Sequence, residues 1–221
     1  MRKSNKGANT MFGTYQPDVA QVRRNRQIIA VMVLCIAGLF FLLLSMQFFW
    51  ISLKPGYDVE YLLENDVQEG MHVKGQVPYT YDCFADMSDL EGGKVSYYYY
   101  ALPAAEGMMI LKVPVSRQRE METLLEETLD YLDTGIWPTS VVELEGYVTK
   151  AQGRLPYLLS EYMTEIGYTR EEIEAMGEPM VIEDASGRIE KARINAPVGI
   201  ILVAAGVLLG VFFCFWNKRK S

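Results

Sequence analysis

His72 is the only histidine in the 221 residues, so any catalytic triad or histidine-based metal centre has to use it. Cys83 follows eleven residues later and is the only cysteine outside the two long apolar stretches of the chain. A cysteine beside a histidine that accepts its proton is a nucleophile for acyl transfer. Because no glycine-rich nucleophile turn accompanies this pair, we predict no catalytic dyad and interpret Cys83 as a small buried apolar residue. A disulfide between chains or a reactive thiol is the alternative for Cys83.

An acidic stretch follows Cys83 and offers oxygen ligands for a cation. Its carboxylates are Asp82, Asp86, Asp89 and Glu91, and two glycines come next. Carboxylates suit Ca²⁺, but this spacing lacks the D-x-[DN]-x-[DN]-G order of an EF-hand loop. We therefore expect a solvated loop between two strands, with a calcium site as the alternative.

Four consecutive tyrosines, Tyr97, Tyr98, Tyr99 and Tyr100, are the most unusual local feature. In a strand, successive rings point to opposite faces, so one pair fills the core and the other lies on a wetter surface or under a helix. Because tyrosine is a favoured strand residue, we interpret the run as structural. The alternative is an exposed face that binds a sugar, a peptide or another protein.

Familiar catalytic and cofactor motifs are missing from the chain. It has no Walker loop, no Rossmann glycine fingerprint, no Cys-x-x-Cys pair and no H-E-x-x-H. The formal net charge of -7 argues against a protein held to nucleic acid by phosphate contacts. The sequence therefore nominates no catalytic residue, no cofactor and no nucleic-acid partner. Because acidic residues are plentiful, a hydrolase or transferase that uses a pair of carboxylates is an alternative.

Two uncharged stretches determine the layout of the chain. No charged residue occurs between Arg26 and Lys54, and a second uncharged run extends from Ile194 to Asn217. At about 1.5 Å per residue, each exceeds a bilayer core of roughly 30 Å. We predict transmembrane helices at 28–53 and 194–217. The first is too long for a cleaved secretory signal and no A-x-A-like site follows it, so we expect an uncleaved anchor.

The distribution of charges predicts the orientation of these spans. Six bases and one acid precede the first span, and three bases follow the second. Because lysine and arginine beside a span tend to stay in the cytoplasm, we predict that 1–27 and 218–221 are cytoplasmic. Residues 54–193 hold 12 basic and 27 acidic residues, a net of -15, and are expected outside the cell membrane.

Glycines in the second span predict close helix packing. Gly199, Gly206 and Gly210 lie on one helical face, and the last two form a G-x-x-x-G motif. The partner is the first span of the same chain, where Ala37 and Gly38 are also small, or the second span of another copy in a homodimer. A motif with no packing role is the third alternative.

The segment 54–193 predicts a small α+β domain. Alternation indicates strands at 71–77, 96–102, 108–113, 141–149 and 180–183, with His72 on the solvent-facing side of the first. Helices are expected near 58–65, from a Ser116 cap to Gly135, at 155–166, and after a capping box at Thr169. Five strands with a helix after the third is the order of an OB fold, a partly open barrel. A different small α+β domain is the alternative.

With this layout the chain resembles uncharacterised two-pass bacterial membrane proteins that carry an OB-like domain between their helices. The resemblance covers the whole chain but rests on no catalytic motif, so it implies no activity. We expect the outer domain to be a binding module or an accessory subunit of a membrane or envelope protein. An enzyme acting on envelope material and a small oligomeric sensor are the alternatives.

Overall fold

The computed structural model describes residues 19–88, 93–105 and 107–219. Within these ranges the chain forms two compact units. One combines 19–42 with 197–219, and the other is the continuous segment 43–196, called the central domain below. The predicted cytoplasmic N-terminal residues up to Asp18 and the last two residues of the predicted tail lie outside the described residues.

Two long helices form the first unit and extend into the central domain. Helix α1 covers Val19–Ser52 and helix α6 covers Ser186–Lys218. Each contains a stretch long and apolar enough to cross a membrane, Gln21–Ser52 and Ser186–Trp216, and only 11% of the most apolar window of each is buried. The prediction of two long apolar helices that flank an α+β domain is confirmed. Helix α6 begins at Ser186, so the expected link to the second span is itself helical.

The glycines of α6 face α1 within the first unit. A Cβ atom at Gly199 would lie 2.8 Å from the carbonyl oxygen of Gly38, and one at Gly206 would lie 2.6 Å from Sγ of Cys35. A Cβ at Gly210 would reach Val31 at 3.5 Å. Because small residues let two helix backbones approach, these positions form the contact between α1 and α6 in one chain.

The central domain is built on one mixed sheet, which has seven strands within the described residues. The strand order is β1-β2-β6-β7-β5-β4-β3. The pairs β1–β2 and β5–β7 are parallel, and the other neighbours are antiparallel. The strands are β1 Gly56–Tyr57, β2 His72–Val77, β3 Asp82–Ser88, β4 Val95–Ala104, β5 Gly107–Pro114, β6 Val142–Lys150 and β7 Met180–Asp184.

Four shorter helices connect these strands. They are α2 Val59–Glu64, α3 Gln118–Thr134, α4 Leu155–Glu165 and α5 Arg170–Ala175. The capping box of Thr169 with Glu172 is confirmed, and so is the end of α3 at Gly135, whose φ of 72° is left-handed. The Ser116 cap is wrong, because Ser116 lies in a 3-10 turn, Val115–Arg117, and α3 begins without a side-chain cap.

All five predicted strands are present, but the structure has two more, β1 and β3. Strand β3 occupies 82–88, where the sequence predicts a solvated loop, and it pairs with β4. Its register shifts between Cys83 and Ala85 and again between Met87 and Ser88. A bulge moves the following side chains to the other face, so the alternation that identifies a strand in sequence is lost here.

Apolar side chains pack in two clusters on the two faces of the sheet. Tyr100, Leu111 and Ile182 belong to one cluster, and their neighbours Ala101, Ile110 and Val181 belong to the other. This division follows from the twofold alternation of side chains along a strand. Helices α2 and α3 contribute to the first cluster and α4 to the second.

We predict that Gly199→Val lowers the melting temperature of the full chain in detergent by an amount equivalent to about 1–3 kcal/mol, because its side chain meets the Gly38 backbone. Ala204→Val, on the exposed side of the same helix, is the control. Valine has a higher helix propensity than glycine, so a loss reports packing. Equal melting temperatures for the two variants would contradict the contact.

Candidate functional site

His72 is buried, contrary to the expectation that it faces solvent; its side chain is 3% exposed. Its Nδ1 atom lies 2.9 Å from the carbonyl oxygen of Lys54, and its Nε2 atom lies 3.0 Å from Oε1 of Glu145. The buried ring is therefore hydrogen-bonded at both nitrogens. The alternation of β2 predicts a solvent-exposed His72, but the Lys54 backbone and the Glu145 side chain cover its ring.

Glu145 connects β6 to the start of α6. Arg193 donates two hydrogen bonds to its carboxylate. Burial raises the pKa of Glu145, but the hydrogen bonds from Arg193 and His72 outweigh it and leave the pKa below its ordinary value. The hydroxyl of Ser186 accepts from the Glu145 N–H and donates to Asp184 at 2.6 Å, so it is engaged by structural partners.

Two more buried carboxylates belong to the last two residues of β7. Glu183 pairs with Lys112 at 3.2 Å and with Arg188 at 2.5 Å. Asp184 pairs with Arg117 at 3.0 Å. Burial alone raises the pKa of Glu183, but Arg188 and Lys112 more than compensate and lower it. Each carboxylate here is neutralised by a base, as a buried ion pair requires.

Cys83 does not meet His72 in any contact among the described residues. Their strands are not paired with each other, since β3 is at one edge of the strand order and β2 is next to the other. Cys83 instead donates to the carbonyl oxygen of Ala85 at 3.7 Å. Burial raises the pKa of the Cys83 thiol, which disfavours the nucleophilic thiolate.

The acidic stretch is divided by strand β3. Asp82 and Asp86 are exposed on the strand, whereas Asp89 and Glu91 lie outside the described residues. Asp82 accepts a hydrogen bond from the backbone N–H of Cys83 at 2.7 Å. Among the residues that the structure describes, no group of three or more His, Cys, Asp or Glu side chains is placed to hold a metal ion.

The four tyrosines of β4 are distributed over the two faces of the sheet. Tyr98 and Tyr100 belong to the first apolar cluster, and Tyr100 is only 1% exposed. Tyr99 packs against the second cluster. Tyr97 lies beneath the Lys112 ammonium, 4.3 Å from its ring centroid. The rings are thus used in packing and ion contacts inside the central domain.

The most developed apolar concavity is a cleft of about 610 Å³, called the methionine cleft below. It is bounded by α2, the turn between β4 and β5, α4, α5 and the start of β7. Five of the 12 methionines line it. Its apolar walls are formed by Leu62, Leu63, Ala104, Met108, Met109, Pro156, Leu159, Met163, Ile173, Met176 and Met180.

The rim of the methionine cleft is acidic. Asp66, Glu174 and Glu178 line it and are exposed. Its polar neutral lining consists of Asn65, Gln68 and Ser160. The depth of the cleft depends on Gly107, since a Cβ there would lie 2.7 Å from Sδ of Met176. An apolar floor with an acidic rim suits an apolar ligand that carries positive charge at its edge.

Sequence reasoning misses this cleft because its residues come from six separate elements, namely α2, β4, β5, α4, α5 and β7. The methionines are spread from 108 to 180, and no spacing rule connects them. Only the high methionine content is visible in the sequence, and methionine is also a common gap-filler in cores.

A second, larger opening of about 1010 Å³ is polar and includes Asp58, Glu143, Glu145 and Glu190. Asp58 caps α2 by accepting from the Glu60 N–H at 3.3 Å, and Glu145 is held by His72 and Arg193. Glu60 also lines this opening, so two of its five carboxylates are engaged in structural contacts, which leaves Glu60, Glu143 and Glu190 as its unassigned acids.

In comparison with known proteins, the chain matches a family model described as a domain of unknown function, DUF8577, over residues 20–215. The match covers both long helices and the whole central domain. No curated protein matches the chain, and no solved structure matches it.

We predict that the domain loses stability as the pH falls below about 4.5, the ordinary pKa of a glutamate. The pKa of Glu183 is lower in the folded chain than in the unfolded chain, so on acidification the unfolded chain binds a proton at a higher pH. The contribution of Glu183 to the free energy of unfolding is therefore complete above about pH 4.5 and declines below it. Glu183→Gln should lower the melting temperature at pH 7 and flatten its acid decline. The exposed Glu171→Gln variant is the control, and identical pH profiles for the two variants would refute this role of Glu183.

Proposed function

The chain belongs to the DUF8577 family, which assigns no activity, and from that premise we propose that it is a two-pass membrane protein whose central domain binds an apolar segment of a partner protein. The observation that carries this proposal is the methionine cleft with its acidic rim. Both parts of the proposal, the membrane location and the binding site, are supported by separate observations.

The exposure of the two long helices supports the membrane location. Their apolar windows are only 11% buried, so most of this apolar surface faces outward. Leu43 is 81% exposed on α1 and Leu208 is 70% exposed on α6. Soluble proteins rarely expose apolar patches of this extent, whereas lipid tails cover them without cost.

The charges support an orientation with both ends of the chain in the cytoplasm. Bases predominate in residues 1–27 and 218–221, and the segment 54–193 carries a net charge of -15. Bases close to a span are retained on the cytoplasmic side. The central domain is accordingly extracytoplasmic in this proposal, at the cell membrane.

Strand connectivity supports an OB-like barrel for the central domain. Strands β2 and β3 are separated by four residues that begin with Pro78, and they pair at opposite ends of the strand order. In this proposal they are two halves of one strand bent at Pro78 that joins the two ends of the open seven-stranded order, because one half pairs with β6 and the other with β4. The parallel pair β5–β7 then joins the third and fifth strands of the barrel.

Side-chain chemistry supports a binding role for the methionine cleft. Methionine is flexible and polarizable, so a surface rich in it adapts to apolar side chains of different shapes. Within the part of the chain that the structure describes, no basic residue is in the lining of the cleft, whereas Asp66, Glu174 and Glu178 are. Glu174 and Glu178 form exposed ion pairs with Arg170 and Lys150 outside the lining. The occupant that fits both features is a segment of a membrane or envelope protein with apolar residues flanked by lysine or arginine.

The residues around His72 and Cys83 do not favour catalysis. Within the described parts of the chain, both nitrogens of His72 are engaged and Cys83 makes its contact with Ala85 instead of His72. A general base needs a free acceptor within reach of its substrate. Binding is therefore the function that the described residues support best.

The orientation predicts the reactivity of an engineered thiol on intact cells. In a chain with Cys35, Cys83 and Cys214 replaced by serine, Glu161→Cys places an exposed thiol on α4. It should react with a membrane-impermeant maleimide before lysis. Labelling that occurs only after the cells are lysed would place the central domain in the cytoplasm.

The cleft predicts a position-dependent photo-crosslink in native membranes. A benzophenone amino acid at Glu174, on the cleft rim, should capture a partner protein, whereas the same group at Glu171 should not. Both are exposed positions on α5, so the pair controls for surface accessibility.

The captured segment is then identified by mass spectrometry. An apolar segment with flanking bases, whose synthetic peptide suppresses the crosslink, would support the proposal. The same adducts from both positions, no adduct from Glu174, or a captured segment without this composition would overturn it.

A further inference from the structure

A small aromatic pocket lies apart from the methionine cleft, at the C-terminal end of α3. Its volume is about 220 Å³, and it is lined mainly by Tyr79, Tyr81, Tyr131, Leu132, Trp137 and Pro138. The rings form two pairs: the centroids of Tyr79 and Tyr81 are 6.3 Å apart, and those of Tyr131 and Trp137 are 4.4 Å apart. Three chain segments therefore bring four aromatic rings around one concavity.

The segments that carry these rings are held in place by hydrogen bonds to α3. The hydroxyl of Thr128, on α3, accepts from the Thr80 N–H at 3.4 Å and donates to the Leu124 carbonyl at 2.7 Å. Glu127 accepts from the N–H groups of Thr139 and Ser140 at 2.6 and 2.8 Å. These bonds fix the loop before β3 and the loop after Trp137 to the same helix, so the pocket is preorganised.

The aromatic surface is open to solvent. Trp137 is 63% exposed and the neighbouring Ile136 is 70% exposed. Tryptophan and tyrosine are the residues most enriched at binding hot spots, where one ring face is covered by a partner. An exposed tryptophan stacked on a fixed tyrosine is thus available to a ligand.

Charge determines which ligand suits the pocket. None of the seven residues that the structure places in its lining is charged, and Glu60 and Glu64 are close enough to Tyr79 to contribute to raising its pKa, after burial and Tyr81. The segment 54–193 has a net charge of -15. A negative surround with aromatic walls attracts a cation through the ring quadrupoles.

The chain uses the same interaction elsewhere with its own bases. Lys112 lies over the ring of Tyr97, and the Arg188 guanidinium lies 4.9 Å from the centroid of Phe48. In the described structure, no such base of the chain occupies the aromatic pocket. Apart from the faces of Tyr131 and Trp137 that stack on each other, its rings are therefore available to a cation from outside.

We propose that the pocket of Tyr79, Tyr81, Tyr131 and Trp137 binds a quaternary ammonium group of the choline type. Aromatic cages are the usual protein site for such cations, which are too weakly hydrated to require direct ion pairing. The volume is below that of a pocket for a drug-sized ligand, and it suits a single headgroup. This site is independent of the partner segment proposed for the methionine cleft.

The test uses the full chain in maltoside detergent and the fluorescence of Trp137. Trp50→Phe and Trp216→Phe leave Trp137 as the only tryptophan. Choline chloride is titrated against sodium chloride of equal ionic strength, and 3,3-dimethylbutanol serves as the uncharged isostere. We expect a saturable change with choline and at least about tenfold weaker binding of the isostere.

Two variants separate binding from folding. Tyr79→Leu should weaken choline binding about tenfold while the melting temperature stays near that of the parent. Tyr157→Leu, an exposed tyrosine on α4 outside the pocket, should bind choline as the parent does. Equal affinities for choline and the isostere, unchanged affinity in Tyr79→Leu, or no saturation with choline would overturn the proposal.

Reconstitution distinguishes the two sources of this headgroup. In phosphatidylcholine bilayers, the lipid headgroup should occupy the pocket, so that Trp137 fluorescence is already shifted before choline is added and free choline causes no further change. In phosphatidylglycerol bilayers, free choline should still change Trp137 fluorescence. Equal responses in both bilayers assign the site to a soluble quaternary ammonium compound. No response to choline in either bilayer would contradict the detergent result and the proposal.

Discussion

Two buried carboxylates at the end of β7, Glu183 and Asp184, have to be neutralised, and the bases that neutralise them connect the central domain. Lys112 comes from β5, Arg117 from the turn before α3, and Arg188 from the first turn of α6. Arg188 also covers the ring of Phe48 on α1. Loss of Arg117 would leave the buried Asp184 carboxylate without its base, which is strongly destabilising. Strand β7, strand β5, the turn before α3, the end of α1 and the start of α6 are thereby fixed to one another.

Because of these ion pairs, the polar side chains that stabilise the fold lie apart from the surfaces proposed to bind partners. The histidine and the buried acids lie in saturated ion and hydrogen-bond contacts around β6, β7 and α6. The methionine cleft lies elsewhere, where α4 and α5 cover the second apolar cluster incompletely. A rigid ionic framework beside an adaptable apolar cleft is an arrangement suited to recognition, because only the binding surface has to adjust.

Both proposed binding surfaces share one electrostatic preference. The methionine cleft has an acidic rim and the aromatic pocket lies near Glu60 and Glu64, so each favours an apolar group that carries positive charge. The segment 54–193, with its net charge of -15, extends this field over the surface. A negative field accelerates association with cations and repels acidic partners. The charge therefore discriminates between partners before they contact the domain.

The sequence by itself determined the features that depend on neighbouring residues. The two apolar helices, the five alternating strands, the Thr169 capping box and the Gly135 helix end all arise from patterns a few residues long. Only the tertiary structure decided that His72 is buried, because the Glu145 that pairs with it is 73 residues away. Strand β3 was hidden by its bulges, and the methionine cleft and the aromatic pocket were hidden because their walls come from distant segments. Local propensity acts within a turn or a strand, whereas burial and ion pairing depend on which segments the fold brings together.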